Sequence, residues 1–154
     1  AIGFRSLNKI RENIYNRISK KGFNIISIIS KNANINSNVN IKRNVIIFEM
    51  NNIQGGVSID QNSFLWSGNH IGHHTSIGKN CYISSHCVIS GNSKIENNCF
   101  FGVNVSIGDG LTIGSNNVIG IGSTIKRSTP NYSISTVANT ETKVASERAL
   151  QRLI

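Results

Sequence analysis

Three of the four histidines in this chain lie within five residues, in His70-Ile71-Gly72-His73-His74-Thr75. Imidazole takes up and releases a proton near neutral pH, and its neutral form is also a common metal ligand. The cluster therefore offers two chemistries: general acid–base work, or a zinc site if His86 is added as a further ligand. Spacing weighs against zinc, because the His73–His74 doublet has no distant histidine upstream to complete a ligand set. Which way the doublet points depends on the element that carries it.

That element is a repeat of six. Stepping by six from Ile35 to Ile125 meets a large apolar residue each time, and only Leu65 and Phe101 are not isoleucine. Two residues before each runs a mostly small column that includes Ala33, Val39, Thr75, Cys81, Cys87, Ser93 and Cys99. Six fits neither an amphipathic helix nor a plain strand, so the pattern is a structural repeat. A large inward residue, a short turn often opened by glycine and a small inward residue describe one side of a prism. Three sides make an eighteen-residue coil, and parallel strands of successive coils stack about 4.8 Å apart. Ile71 then points inward, and His73 and His74 occupy the next turn, facing away from the core. Gly91, eighteen residues on, stacks over His73.

The net charge of +9 on 154 residues raises nucleic acid as a partner, but the charge is unevenly placed. The first 32 residues carry +6, the last 29 carry +3, and the repeat between is neutral. A basic helix and tail read as solvated faces, equally compatible with an anionic phosphate ligand, so no nucleic-acid partner is expected. No apolar run is long enough to span a bilayer, and no stable membrane insertion is expected. Three cysteines, an odd number, with no secretory segment fit free thiols and a cytoplasmic setting. Cys81 and Cys99 are one coil apart, a separation at which a disulfide is not excluded by distance.

Ahead of the repeat, Ser6 is placed to cap a helix with Leu7, Ile10, Ile14 and Ile18 on one stripe, stopping before Gly22. Phe23 to Ser30 reads as a buried strand. With Ala1-Ile2-Gly3 read as the tail of a preceding strand, they form a β-α-β unit that cannot cover both faces of a sheet, so residues 1–32 read as the remnant of a larger, N-terminally truncated α/β domain. The solenoid spans 33–127. Residues 128–154 read as a loop with a short strand and then, from Thr140, a helix.

The repeat resembles the hexapeptide signature of the left-handed β-helix acyltransferases. The left hand comes from that resemblance, since ordinary parallel crossovers are right-handed. The segments AIGFRSLNKIRENIY and IGHHTSIG are similar to the NeuD and PglD type of sugar and nucleotide-sugar acetyltransferases. The resemblance implies a mainly β fold: a left-handed parallel β-helix after a Rossmann-like remnant and before a C-terminal helix. It implies a homotrimer that uses acetyl-CoA as acyl donor, with no metal, to acetylate a sugar or nucleotide-linked amino sugar in bacterial surface-polysaccharide biosynthesis. N-acetylation of a 4-amino sugar is favoured over O-acetylation.

His73 falls where the similar enzymes place a catalytic base, and His74 where they place an acidic residue, which leaves open what orients that base. Gly91 is a candidate oxyanion or thioester contact, or a glycine that merely relaxes a turn. Gly108, Gly120 and Gly122 are candidates for the pantetheine arm, and Lys126 and Arg127 for the coenzyme phosphates. His70, Trp66 and Asn69 are candidates for the acceptor pocket, with Asn69 alternatively pairing with Asn51 inside the coil. Rival readings on this fold are a γ-carbonic-anhydrase-like zinc enzyme and a non-catalytic scaffold.

Overall fold

The computed structural model describes residues 6–138. Apart from one helix, the described chain is a succession of two-residue parallel strands in three sheets of seven, six and five strands. The first sheet contains Phe64–Leu65, Tyr82–Ile83 and Phe100–Phe101; the second, Asn52–Ile53, His70–Ile71 and Val88–Ile89; the third, Ser58–Ile59, Ser76–Ile77 and Lys94–Ile95. Pairing steps by eighteen throughout the repeat, as in His70 with Val88 and Ile71 with Ile89. The amides of His70 and Gly72 donate to Cys87 O (2.9 Å) and Ile89 O (2.7 Å) of the next coil. The chain is thus a three-sided solenoid whose backbone groups are satisfied by adjacent coils.

The large inward column forms the core: Ile47, Leu65, Ile83, Phe101 and Ile119 along the first side are fully buried. Each buried isoleucine contributes about 1.5–3 kcal/mol of transfer free energy. The small column does more than fill space. Ser63, Thr75, Cys81, Cys87, Ser93 and Cys99 each donate to a carbonyl fifteen residues on, for example Cys87 Sγ to Gly102 O (3.2 Å). A small side chain with one donor suits a corner that leaves a carbonyl facing inward. The three cysteines are buried free thiols, as expected.

Every sixth residue from Asn44 to Gly122 has positive φ, and asparagine, glycine and histidine fill most of these places. The high asparagine content follows, because Asn and Gly enter the left-handed region at least cost.

The helix, α1 (Lys9–Lys20), ends before Gly22, as expected. Its start differs from expectation. Asn8 precedes it with φ 62° and no side-chain cap, and Ser6 gives only its carbonyl, to Lys9 N–H at 3.0 Å. The apolar stripe is also not its deepest face: Asn8 and Arg11 are buried, while Ile10 is exposed. The helix lies on the outer aromatic ladder of the first sheet, where Phe64, Tyr82 and Phe100 stack at 5.3 and 5.7 Å. There Arg11 Nη2 donates to Asn80 O (2.8 Å) and Cys81 O (3.0 Å), its guanidinium lies over the Tyr82 ring, and Asn8 Nδ2 reaches Cys99 O. A helix anchored by polar side chains to corner carbonyls leaves its aliphatic stripe only half covered.

The buried strand expected over Phe23–Ser30 is corrected. Only Ile28–Ile29 is a strand; it is exposed, and it pairs in parallel with Ile46–Ile47 as the first rung of the solenoid. The reason is its position at the end of the sheet, where no further coil among the described residues packs on one side. At the other end the beat shortens by two residues: Thr129 bridges Ile113, and Ile134–Ser135 pairs with Val118–Ile119. The helix expected from Thr140 lies outside the described residues. No helix among the described residues is long and apolar enough to cross a membrane.

Candidate active site

His70 closes a rung of the second sheet, and residues 72–75 turn the chain onto the third. His73 and His74 sit on that corner, both exposed. The His73 N–H donates to Gln54 Oε1 of the preceding coil at 2.9 Å. The His73 carbonyl accepts from Asn92 N–H of the following coil at 2.8 Å. The backbone of the candidate base is thereby held from both sides.

The side chain is placed as firmly. His73 Nδ1 lies 3.2 Å from His74 Nδ1, with the two rings at 78°. Gly91 makes the space the ring occupies: a Cβ there would stand 2.7 Å from Nε2 and Cε1 of His73. The His74 ring lies over Gly56 of the coil before, where a Cβ would stand 2.7 Å from Cδ2. His74 has φ 56°, the left-handed place of its turn. A surface depression of about 340 Å³ opens beside His73, lined by Asn34, Asn52, Gln54 and Gly55. Across its rim His70 Nδ1 is 3.4 Å from Asn52 Nδ2.

The other sequence candidates divide between two edges of the prism. Gly91, Gly108, Lys126 and Arg127 continue the His73 corner through successive coils, since Ile107 pairs with Ile89 and Ile125 with Ile107. Arg127 lies three coils from His73, about 14 Å along the axis at the usual strand spacing. Gly120 and Gly122 instead follow Ile119 on the corner between the first and second sheets, as does Trp66 after Leu65. Trp66 lines a separate depression with Tyr82, Ser84, Ser85 and Val103, and its Nε1 donates to the Tyr82 hydroxyl. Within one chain, Trp66, Gly120 and Gly122 do not share a surface with His73.

Asn69 is corrected outright. It is buried, its Nδ2 donates to Trp66 O, and its Oδ1 accepts from Cys87 N–H at 2.8 Å. It is enclosed within the coil, and its bonds are to backbone rather than to Asn51. His86 lies on the Trp66 edge, against Gly68, away from the doublet. No group of three or more His, Cys, Asp or Glu suited to a metal ion occurs among the described residues. Sequence reading missed Gln54 and Gly56, although counting back eighteen residues from the Gly72–His74 turn reaches both.

A three-sided parallel coil of hexapeptides with an exposed histidine doublet on one corner is a left-handed β-helix of the hexapeptide-repeat type. The model of the family described as the GMPPB C-terminal domain matches residues 24–134, and the chain belongs to that family. No curated protein matches the chain in sequence. Among solved structures it is similar to PerB from Caulobacter crescentus in complex with CoA and GDP-perosamine, at 20% identity over 82% of this chain and 61% of that one, with a TM-score of 0.80. The acetyltransferase domain of PglB from Neisseria gonorrhoeae gives 20% identity over 82% and 62%, with a TM-score of 0.81. AntD, an N-acyltransferase from Bacillus cereus in complex with dTDP and 3-hydroxybutyryl-CoA, gives 18% over 90% and 92%, with a TM-score of 0.67. The chain thus spans about three fifths of the first two, and the likeness is one of fold.

Proposed function

We propose that this chain is an acyl-CoA-dependent acyltransferase acting on a sugar or nucleotide-linked amino sugar, with acetyl-CoA as donor and His73 as general base. The observation that carries the reading is His73, exposed on a corner yet with its ring held by His74 and the space over Gly91 and its backbone by Gln54. Similarity of fold to acyltransferases solved with CoA or an acyl-CoA supports it.

The chemistry requires one tautomer. For Nε2 of His73 to accept a proton, Nδ1 must carry one, so Nδ1–H donates to an unprotonated Nδ1 of a neutral His74. His74 then does by hydrogen bonding what a carboxylate does elsewhere: it selects the tautomer and holds the ring. The acceptor amine attacks the thioester carbonyl as Nε2 takes its proton; the C–N bond forms, the C–S bond breaks, and the proton passes to the departing thiolate. Among the described residues the Gly91 N–H has no protein acceptor, which suits it to the developing oxyanion.

Gly108, Lys126 and Arg127 extend the same edge toward the coenzyme's phosphates. Gly120, Gly122 and Trp66 contribute from the neighbouring protomer of a homotrimer, whose cleft joins the two edges that one chain keeps apart. The pathway is assembly of a bacterial surface polysaccharide in the cytoplasm. Thiol release from acetyl-CoA, followed across 4-amino-sugar nucleotides and unmodified sugars, tests the reading. Turnover with an amino-sugar nucleotide that is lost in His73→Ala is expected. Turnover surviving in that variant moves the base elsewhere, and no turnover with any acceptor favours a non-catalytic scaffold.

A further inference from the structure

Between α1 and the outer face of the first sheet lies a second cavity, about 230 Å³, lined by Arg11 and by Ile14, Ile18, Ile46 and Phe64. Tyr15 and Ile25 complete the apolar wall, and Asn44 and Asn62, hydrogen-bonded to each other at 2.8 Å, form a polar edge. Arg11 is only 8% exposed. Its Nη2 is spent on two carbonyls, but Nε and Nη1 are buried with no hydrogen-bond partner among the described residues. No carboxylate lies within ion-pair reach of it among the described residues, because Glu12 turns to Lys9 (3.1 Å) and Asn80 (3.1 Å). A buried guanidinium with unmet donors and no counter-charge is costly. Burial pulls its pKa down from 12.5 to about 10, which still leaves it charged at neutral pH.

We infer that the cavity under α1 binds an amphipathic carboxylate, its head on Arg11 Nε and Nη1 and a short hydrocarbon tail against Ile14, Ile18, Ile46 and Phe64. The guanidinium supplies charge and donors that a carboxylate accepts, and the walls take an unbranched chain of medium length. This site lies on a different face from the His73 corner, so it stands or falls independently of the acyltransferase reading.

Calorimetric titration of the full chain with octanoate, octanol, acetate and inorganic phosphate tests it. Octanoate is expected to bind saturably with one site per chain, at least about tenfold tighter than octanol, acetate or phosphate. Arg11→Met is expected to weaken octanoate by about tenfold or more. Because that variant also loses two bonds to the solenoid, Ile18→Phe provides a second arm: it narrows the cavity, keeps Arg11, and is expected to weaken octanoate while leaving the thermal midpoint nearly unchanged. No octanoate binding, equal binding of octanol, equal binding of phosphate, or full retention in both variants overturns the proposal.

Discussion

Nδ1 of His73 and Nδ1 of His74 face each other at 3.2 Å, a contact between adjacent residues that is possible because His74 turns through the left-handed region. Two imidazole nitrogens at that distance need one proton between them, so the pair functions only when one ring donates and the other accepts. Replacing His73 with Ala is expected to lower acetyl transfer about 10²–10⁴-fold. The thermal midpoint should barely move, since the side chain is exposed. Paired activity and melting measurements check this.

His74 separates catalytic from conformational demands. His74→Asn keeps a residue type common in this column of turns and retains an acceptor oxygen, so turnover should fall less than in His74→Ala. His74→Val places a β-branched residue at φ 56° and is expected to lose about 1–2 kcal/mol of stability. Urea unfolding and steady-state turnover on the three variants distinguish these effects.

Two neighbouring glycines should fail differently. In Gly91→Ala the new methyl meets the side chain of His73, which can swing into solvent, so activity falls while the fold survives. In Gly72→Ala the methyl would stand 2.4 Å from the Gly91 backbone nitrogen and 2.7 Å from the Ser90 carbonyl carbon, so adjacent coils must separate. A loss of about 2 kcal/mol or more is expected there, of the order seen for overpacking. Chemical denaturation of both variants, beside a thiol-release assay, reads out the contrast.

Alkaline pH should weaken the fold through Cys87. Burial pushes the Cys87 thiol from 9.0 up to about 11. The folded state therefore favours the protonated thiol, and its contribution is complete below the unfolded value. It is lost as pH rises from about 9 through about 11, because the unfolded chain releases its proton first. The decline attributable to Cys87 is about 3 kcal/mol at most. In Cys87→Ser the hydroxyl can replace the bond to Gly102 O, as Ser63 and Ser93 do in the same column, and the fall across this range should be shallower. Urea midpoints at several pH values measure it.

Much of the fold was legible because a prism of six-residue sides repeats one local rule. Ile71 predicts its own burial and, by adding eighteen, its pairing with Ile89. His73 and Gly91 meet for the same reason. The rule failed at the ends, where the rule changes. Ile28–Ile29 looks like a buried strand in sequence but lies on an open rung, and the hydrophobic stripe of α1 gave no sign that Arg11 would be its anchor. Within the coil, Asn69 looked like a pocket wall because a polar side chain in an inward column has no sequence mark to show whether it binds a ligand or a carbonyl.

What the sequence by itself determined is the periodic part: the inward isoleucines, the coil length, the turn that turns out His73 and His74, and the stacking of Gly91 over that turn. What only the tertiary structure decided is which nitrogens face each other, which edge each glycine lies on, and which donors remain unmet. Register follows from counting, since every coil advances by the same number of residues. The direction of a side chain at a corner, or of a guanidinium beneath a helix, depends on atoms brought there from distant parts of the chain, and no local pattern encodes it.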